Sequence, residues 1–415
     1  MVMLSDLLGY RLDDRRGARA RLRDFAIDPE AGEYPTVTAA IAQRRGESPR
    51  VVPWGAVSPR WGERRLLVDD LERAQPLDVE EQRRAVLLER DVLDALVLDL
   101  EQRQAARAND LWLRDEAGKL ALRGVDLSAW AILRRLGRGW LGRGAERRLL
   151  DWRQVEYLRG DPHGPAAPHH HPERVAALPP TQIARLSELI PYLHAAELLT
   201  RLEDALAADV LEAMATERQL QVFEELDEGL GARLLARMAP DVAADLLGRL
   251  EPEQAARCLE ALPERRRSQV VDLLRYPDDT AGGIMTNEVV MAAGDARLGE
   301  ARQQLAEALV APDFVYYVYV VDDVGQRTLR GVLSLRDLLV GDERRRLDEL
   351  MNPVLETLDP LASAARAARK VADAGLAALP VVARDGRLLG AVTFDAAMEQ
   401  IAGAAWRQQA PRVFA

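Results

Sequence analysis

The sequence predicts a multidomain fold: a strand-rich N-terminal region of small β units, a central all-α helical-repeat domain and a C-terminal α/β duplication. Three observations predict it. A Pro/His-rich stretch at 160–172 interrupts the chain, and its prolines remove donors and fix φ, which blocks helix and ladder. Residues 178–275 repeat an apolar pattern every twelve residues. Residues 285–402 run through one α/β order twice. A length of 415 residues accommodates several cores.

The N-terminal region alternates short apolar runs with Gly, Asp and Pro turns, the pattern of short strands. It also echoes itself. Arg21-Leu-Arg-Asp24-Phe-Ala-Ile27 is matched by Arg107-Ala-Asn-Asp110-Leu-Trp-Leu113, and Val52-Pro-Trp54-Gly-Ala-Val57 by Leu150-Asp-Trp152-Arg-Gln-Val155. A duplicated unit is expected. The segment 128–148, with Leu133, Leu136 and Trp140 among arginines, is extra in the second copy. Its basic, Gly-rich character leaves two readings open: a contact for a partner or an anionic surface, and a solvated loop with one helical turn.

The Pro/His stretch can hold few contacts, so the parts on either side are expected to fold independently. Beyond it, the repeat is apolar-apolar-x-x-apolar: Leu198-Leu-Thr-Arg-Leu202, Val210-Leu-Glu-Ala-Met214, Val222-Phe-Glu-Glu-Leu226, and on to Val270-Val-Asp-Leu-Leu274. Positions i, i+1 and i+4 share one face of a two-turn helix. Twelve residues are one such helix and its turn. Pro240, Pro252 and Pro263 mark helix starts, and Thr216-Glu-Arg-Gln219 reads as a capping box. Helices this short must stack on their neighbours to persist. Cys258 occupies a core position of the repeat, where it reads as a buried inert thiol.

In the C-terminal region Met285-Thr-Asn opens one copy and Met351-Asn-Pro353 the other. Each continues through an Ala/Leu-rich helix (297–310, 361–374), a strand (Val318–Val321, Leu379–Val382), a turn at Gly325 or Gly386, and a strand that runs into a helix (Gly331–Asp337, Gly390–Ala396). Two α/β units with a cleft between them follow.

Composition excludes several functions. Net charge is −11, against the concentrated positive surface of a broadly basic nucleic-acid binder. The acidity lies C-terminally: 29 basic and 27 acidic residues fall in 1–160, 11 and 18 in 178–275, and 15 and 20 in 276–415. One cysteine allows neither a disulfide framework nor a cysteine-based zinc site. No Gly-Lys-Ser/Thr closes a Gly-rich loop, so a P-loop is absent. No apolar run has membrane-helix length, and the N-terminus carries no signal-peptide pattern. A cytoplasmic protein without direct membrane insertion is expected. His163, His169, His170 and His171 sit in the Pro-rich stretch, where they read as an incidental tract. His194 reads as a surface or capping residue near a helix start. No nucleophile–base pairing is legible, so the chain is not read as an enzyme.

Met285-Thr286, Gly331–Asp337 and Met351-Asn-Pro353 resemble a tandem pair of cystathionine-β-synthase (CBS) domains, a Bateman module. Asp279-Thr-Ala-Gly-Gly-Ile-Met-Thr286, joined to a twelve-residue helical repeat, is similar to the cytosolic part of MgtE magnesium channels. Residues 1–160 look like two PRC-barrel units, on Leu4-Ser-Asp-Leu-Leu-Gly9 and Val52-Pro-Trp54. The resemblance implies small β-barrels at 1–80 and 81–160, a linker at 161–177 and an MgtE N-like helical domain at 178–278. CBS domains at 279–347 and 348–405 and a tail at 406–415 complete it. Channels of that family continue into a membrane domain, whereas this chain stops at Ala415; either a free-standing soluble relative or an excised regulatory region is expected, and the appended barrels favour the former.

The resemblance also implies ligands. In CBS modules the pattern Ser/Thr-x-x-Asp places a carboxylate on ribose hydroxyls and a hydroxyl and helix N-terminus near phosphates. Ser334-Leu-Arg336-Asp337 keeps the pattern; Arg336 is expected at a phosphate and Tyr317 against a base. The second copy reads Thr393-Phe-Asp-Ala396, without the carboxylate. One adenine-nucleotide site (ATP, ADP or AMP) is expected. Mg²⁺ is the second candidate ligand, through Asp241, Asp245, Asp278 and Asp279, although Gly375 and Ala396 stand where the family commonly has aspartates. The implied role is a regulatory or adaptor protein, homodimeric through its CBS pair, with a membrane channel as one candidate partner. The alternatives are a structural scaffold with an empty CBS cleft and an accessory subunit of a separate channel.

Overall fold

The computed structural model describes residues 1–28, 32–77, 85–116, 118–135, 147–158, 173–308, 317–354 and 356–402. The chain forms two compact units, Met1–Leu202 and Glu203–Ala415. The division falls inside the helical repeat, whose first two helices belong to the N-terminal unit.

The first unit is strand-rich. Its first half supplies β1 (Val2–Met3), β2 (Arg11–Asp14), β3 (Arg19–Ile27), β4 (Val37–Gln43), β5 (Arg50–Pro53), β6 (Val57–Arg60), β7 (Arg65–Val68) and β8 (Gln75–Pro76). The second half supplies β9 (Val86–Leu87), β10 (Leu96–Asp99), β11 (Gln104–Arg107), β12 (Asp110–Glu116), β13 (Lys119–Asp126), β14 (Leu149–Asp151) and β15 (Val155–Leu158). The duplication expected from sequence recurs in structure: Trp54 and Trp152 each open a single 3₁₀ turn leading into β6 or β15. The copies differ where β7 inserts beside β2 in parallel; in the second half β15 pairs with β10 directly.

The halves share strands. β1 pairs with β12, Met3 opposite Trp112 and Val2 opposite Leu113. β9 pairs reciprocally with β3, Leu87 opposite Ala26 and Val86 opposite Ile27. Each half thus lends its first strand to the other half's sheet, at the positions that echo each other in sequence. The following turn is exchanged with it. Asp24 is buried and accepts from the amides of Phe25, Glu89 and Arg90, at 2.7, 2.7 and 3.1 Å. Asp110 is buried and accepts from Leu111 N at 2.8 Å, Ser5 N at 3.1 Å and Ser5 Oγ at 2.5 Å. Each aspartate caps the opening turn of the other half, Leu4–Leu7 or Leu88–Val92. One core therefore joins Leu4, Phe25 and Trp54 to Val92, Leu111 and Trp152.

In the segment extra to the second copy, residues 136–146, with Leu136 and Trp140, lie outside the described residues. Ala129–Arg135 is helical; Arg134 reaches buried Asp126 at 2.7 Å and Asp110 at 3.7 Å, and Arg135 pairs with Asp94. The Pro/His stretch with its four histidines also lies outside. The end of the expected linker is not extended: Glu173–Ala176 is a helical turn. Arg174 there donates to the carbonyls of Trp152 (2.6 Å) and Val155 (2.8 Å).

Helices of the repeat begin at Pro180, Tyr192, Asp204, Thr216, Glu228, Pro240, Pro252 and Glu264, twelve residues apart without slippage. The pattern residues are their buried faces, among them Leu198, Leu199, Val210, Leu211, Leu234, Leu235, Leu246 and Leu247. In the second unit alternate helices pack together, Asp204–Glu212 on Glu228–Arg237 and Pro240–Leu247 on Glu264–Leu273. Pro240 and Pro252 open their helices, where a missing N–H costs nothing. The capping box at Thr216 is not formed: Thr216 is already inside the helix, and Gln219 Nε2 donates instead to Leu211 O of the preceding helix at 3.0 Å. A side-chain cap stands at Asp227, which accepts from Leu230 N at 2.9 Å. Cys258 is buried as expected, and burial pushes its thiol pKa up.

The C-terminal α/β order holds. The first copy has β16 (Val290–Ala293), helix Leu298–Ala308, β17 (Tyr317–Val321), β18 (Leu329–Ser334) and helix Leu335–Val340, and β19 (Asn352–Pro353), from the opening of the second copy, completes its sheet in the order β16-β17-β18-β19. The second has helix Ala364–Ala374, β20 (Ala378–Val382), β21 (Leu388–Thr393) and helix Phe394–Ala402. The connector crosses over to the second copy. Thr286 and Ala391 exchange both backbone hydrogen bonds at 2.9 Å. That approach requires Gly390, whose Cβ would stand 2.3 Å from Thr286 O.

Candidate functional site

The site is built at one end of the β17–β18 hairpin, where Tyr317 lies directly opposite Ser334. Strand β18 turns into helix Leu335–Val340 at Ser334, its N-cap. Ser334 Oγ accepts from Asp337 N at 3.2 Å, and Asp337 Oδ2 accepts from Ser334 N at 2.9 Å, a complete capping box. The hydroxyl donates to the same Oδ2 at 2.7 Å, and Asn352 Nδ2 adds a third donor at 3.1 Å. Those bonds leave Asp337 Oδ1 as the carboxylate oxygen they do not use.

Arg336 is exposed on the first turn and makes no ion pair among the described residues. Tyr317 is half-buried; its hydroxyl accepts from Ala377 N at 3.4 Å, and its ring meets Tyr319 edge-on at 6.5 Å. Tyr319 packs between the copies against Ala378, Leu388 and Ala391. Its buried hydroxyl lacks a partner among the described residues, and burial pushes the phenol well above its ordinary pKa. The four residues expected at the nucleotide site thus share one hairpin end. Sequence reasoning missed Asn352 and Tyr319. Asn352 sits in the opening motif of the second copy, but only the β18–β19 pairing carries it to Asp337.

The equivalent point of the second copy lacks the tyrosine and the capping carboxylate. Ala378 faces Thr393 across the β20–β21 hairpin as Tyr317 faces Ser334. Thr393 Oγ1 still accepts from Ala396 N at 3.2 Å, but Ala396 stands where Asp337 does in the first copy, and the first-turn carboxylate is Asp395, at the place of Arg336. At Gly375 the backbone is left-handed (φ 62°) and ends helix Ala364–Ala374, a position that favours glycine over aspartate.

The expected metal ligands do not make a cage. Asp241 and Asp245 stand on helix Pro240–Leu247, while Asp278 and Asp279 are exposed in the connector. Among the described residues no three acidic, histidine or cysteine side chains gather as a metal-holding group. A hard cation needs such clustered oxygens, and the four expected aspartates do not form such a cluster among the described residues. His194 lies in the first turn of helix Tyr192–Arg201, half-buried.

Comparison with known proteins places this geometry. The MgtE intracellular N domain matches residues 178–279, and the CBS domain matches twice, at 281–341 and 347–403. Residues 178–403 are an MgtE N domain followed by a CBS pair. The arrangement matches the cytosolic part of MgtE. A crystal structure of the cytosolic domain of the Mg²⁺ channel MgtE in complex with ATP superposes with a TM-score of 0.51 at 34% identity, covering 55% of this chain and 92% of that one. The magnesium transporter MgtE of Thermus thermophilus is 43% identical over 131 residues, 32% of this chain and 29% of the transporter. MgtE of Bacillus subtilis is 30% identical over 218 residues, 52% of this chain and 48% of the transporter. The chain thus spans less than half the length of these relatives. Among the described residues no helix is long and apolar enough to cross a membrane.

Proposed function

We propose that the CBS pair is an adenine-nucleotide sensor that regulates through the MgtE N domain. The observation that carries the reading is the asymmetry of the copies. One hairpin end assembles Tyr317, Ser334, Arg336 and Asp337, and the other offers Ala378, Thr393 and Ala396. The ATP-bound structure of an MgtE cytosolic domain supports the ligand class. In this reading Asp337 Oδ1 receives the ribose hydroxyls, Arg336 and the amides of the helix start meet phosphate, and Tyr317 lies against the base. Ser334 holds the carboxylate rather than the ligand.

Transmission runs through the connector. Asn287 Nδ2 donates to Gln269 O at 2.7 Å, and Arg266 pairs with Glu288 at 3.5 Å; Thr286 is paired to the second copy. Movement between the copies would pull on helix Glu264–Leu273. The chain acts as a regulatory, non-enzymatic cytoplasmic protein with a protein partner, for which a membrane channel is the leading class. It works as a homodimer through the CBS pair. The open apolar face of helix Leu335–Val340 supports this, with Leu339 71% and Val340 76% exposed. The domain boundaries named from sequence for the CBS copies go with this proposal, and Mg²⁺ enters only as the nucleotide's counter-ion.

A scaffold with an empty cleft is the second reading. It is favoured by one observation: Ser334 and Asp337 already satisfy each other. Thermal unfolding with ATP, ADP or AMP separates the two. A sensor rises in midpoint with nucleotide concentration; a scaffold is unmoved by all three.

A further inference from the structure

The outer face of the N-terminal sheet carries a row of arginines that no local contact explains. Register sets them side by side: Arg60 on β6 faces Arg65 on β7, Arg65 faces Arg11 on β2, and Arg11 faces Arg21 on β3. All four are exposed. The alternate residues Leu12, Leu22, Leu66 and Val57 point into the core. Adjacent strands stand about 4.8 Å apart, so four guanidinium groups span about 14 Å in one line.

Like charges directly opposite across strands are destabilising, and the row has little to offset this. Arg11, Arg21 and Arg60 make no ion pair among the described residues, and Arg65 has only Asp13 at 3.8 Å, which it shares with Arg19. Arg23 extends the face and is held by Gln43. By contrast, the arginines described in the helix Ala129–Arg135 are spent on buried or local aspartates. In a chain of net charge −11, this sheet face is a local cationic surface.

We propose that this face docks on an anionic phospholipid bilayer, each guanidinium taking a headgroup phosphate. Three features select that partner. The face is an open sheet with one aromatic side chain beside the row, the partly buried Trp61, whose indole donates to Asp115 at 3.1 Å, so single-stranded nucleic acid would lack a run of stacking platforms. It presents neither helix nor ribbon to enter a duplex groove. Its one exposed large apolar residue is Leu67 at 36%, short of the aromatic and aliphatic anchors at the centre of a protein interface. A fluid headgroup layer brings phosphate to each guanidinium wherever it stands. The acidic remainder of the chain is repelled by the same membrane, which orients the protein on it.

The test is sedimentation of the full chain with vesicles of phosphatidylglycerol and phosphatidylcholine in equal parts, and of phosphatidylcholine alone. Wild type should bind the mixed vesicles at low salt, release at high salt and ignore the neutral ones. The quadruple variant R11Q/R21Q/R60Q/R65Q should lose about fivefold in partitioning per arginine, a few hundredfold in all. Its thermal midpoint should hold or rise as the repulsion is relieved. The quadruple lysine variant should keep most of the binding, and should the glutamine variant unfold, each single Arg→Gln change must still cost its fivefold. No binding of wild type to mixed vesicles, or equal binding by the folded glutamine variant, overturns the proposal. So does preferential binding of polyuridylate or polyglutamate over the mixed vesicles.

Discussion

Asp24 and Asp110 hold the same place in the two N-terminal halves, and their surroundings differ by a hydroxyl donor and a cation. Burial raises the pKa of both carboxyls. At Asp110 the Ser5 hydroxyl and amide offset it first, with Arg134 at 3.7 Å adding to them, whereas Asp24 has only backbone donors and faces Glu89. Its pKa is pushed to about 6 from the ordinary 3.8. A raised carboxyl favours the fold when protonated. Its contribution is therefore complete below about pH 4 and lost as pH rises through about 6, on the order of 3 kcal/mol. Urea unfolding across that window should show Asp24→Asn flattening the wild-type slope by this amount; an unchanged slope would assign the pH dependence elsewhere. At the candidate site, Asp337→Ala removes a cap and Asn352's partner as well as a ribose contact. It should cost about 1 kcal/mol of stability besides weakening the nucleotide. Arg336 is exposed and unpaired, so Arg336→Ala separates the two effects: binding should fall about tenfold with the unfolding midpoint unmoved.

Among elements, the helical repeat was the most legible part of the sequence, because each unit buries its own apolar face at a fixed spacing. Leu234 and Leu235 announce their helix without reference to anything distant. Capping was less legible: Thr216 and Gln219 have the right types and spacing, but the helix begins one residue too early for the motif. The strand exchange was not legible at all. Nothing in Val2-Met3 specifies Trp112 and Leu113 as partners, since register across more than a hundred residues is set by the shared core. The arginine row was hidden for the same reason, its members scattered from Arg11 to Arg65. The exchange predicts that deleting residues 1–8 strikes the second half. Met3, Leu4 and Leu7 are fully buried, each worth about 1.5–3 kcal/mol. Amide hydrogen exchange should show β12 and β13 losing protection together with β2 and β3. Loss confined to the first half would contradict a single intertwined core.

For the whole molecule, the first copy of the α/β module brings Tyr317, Ser334, Arg336 and Asp337 to one hairpin end and the second has Ala378, Thr393 and Ala396 there, while the connector ties the pair to the last helix of the repeat. The asymmetry of the copies was readable at Ala396; the internal satisfaction of Ser334 by Asp337 was not, because it depends on rotamers. The exposed Leu339 and Val340 predict that Leu339→Glu with Val340→Glu turns a dimer into a monomer by light scattering, at little cost to the fold. An unchanged dimer would place the interface elsewhere. The central claim, one nucleotide site per chain at the first hairpin, is tested most directly by calorimetric titration of ATP, ADP and AMP into wild type, Asp337→Ala and Thr393→Ala. The account predicts one equivalent per chain, a loss of about tenfold to a hundredfold in Asp337→Ala and near-wild-type affinity in Thr393→Ala. No heat of binding at millimolar nucleotide, two equivalents per chain, or an unaffected Asp337→Ala would contradict it.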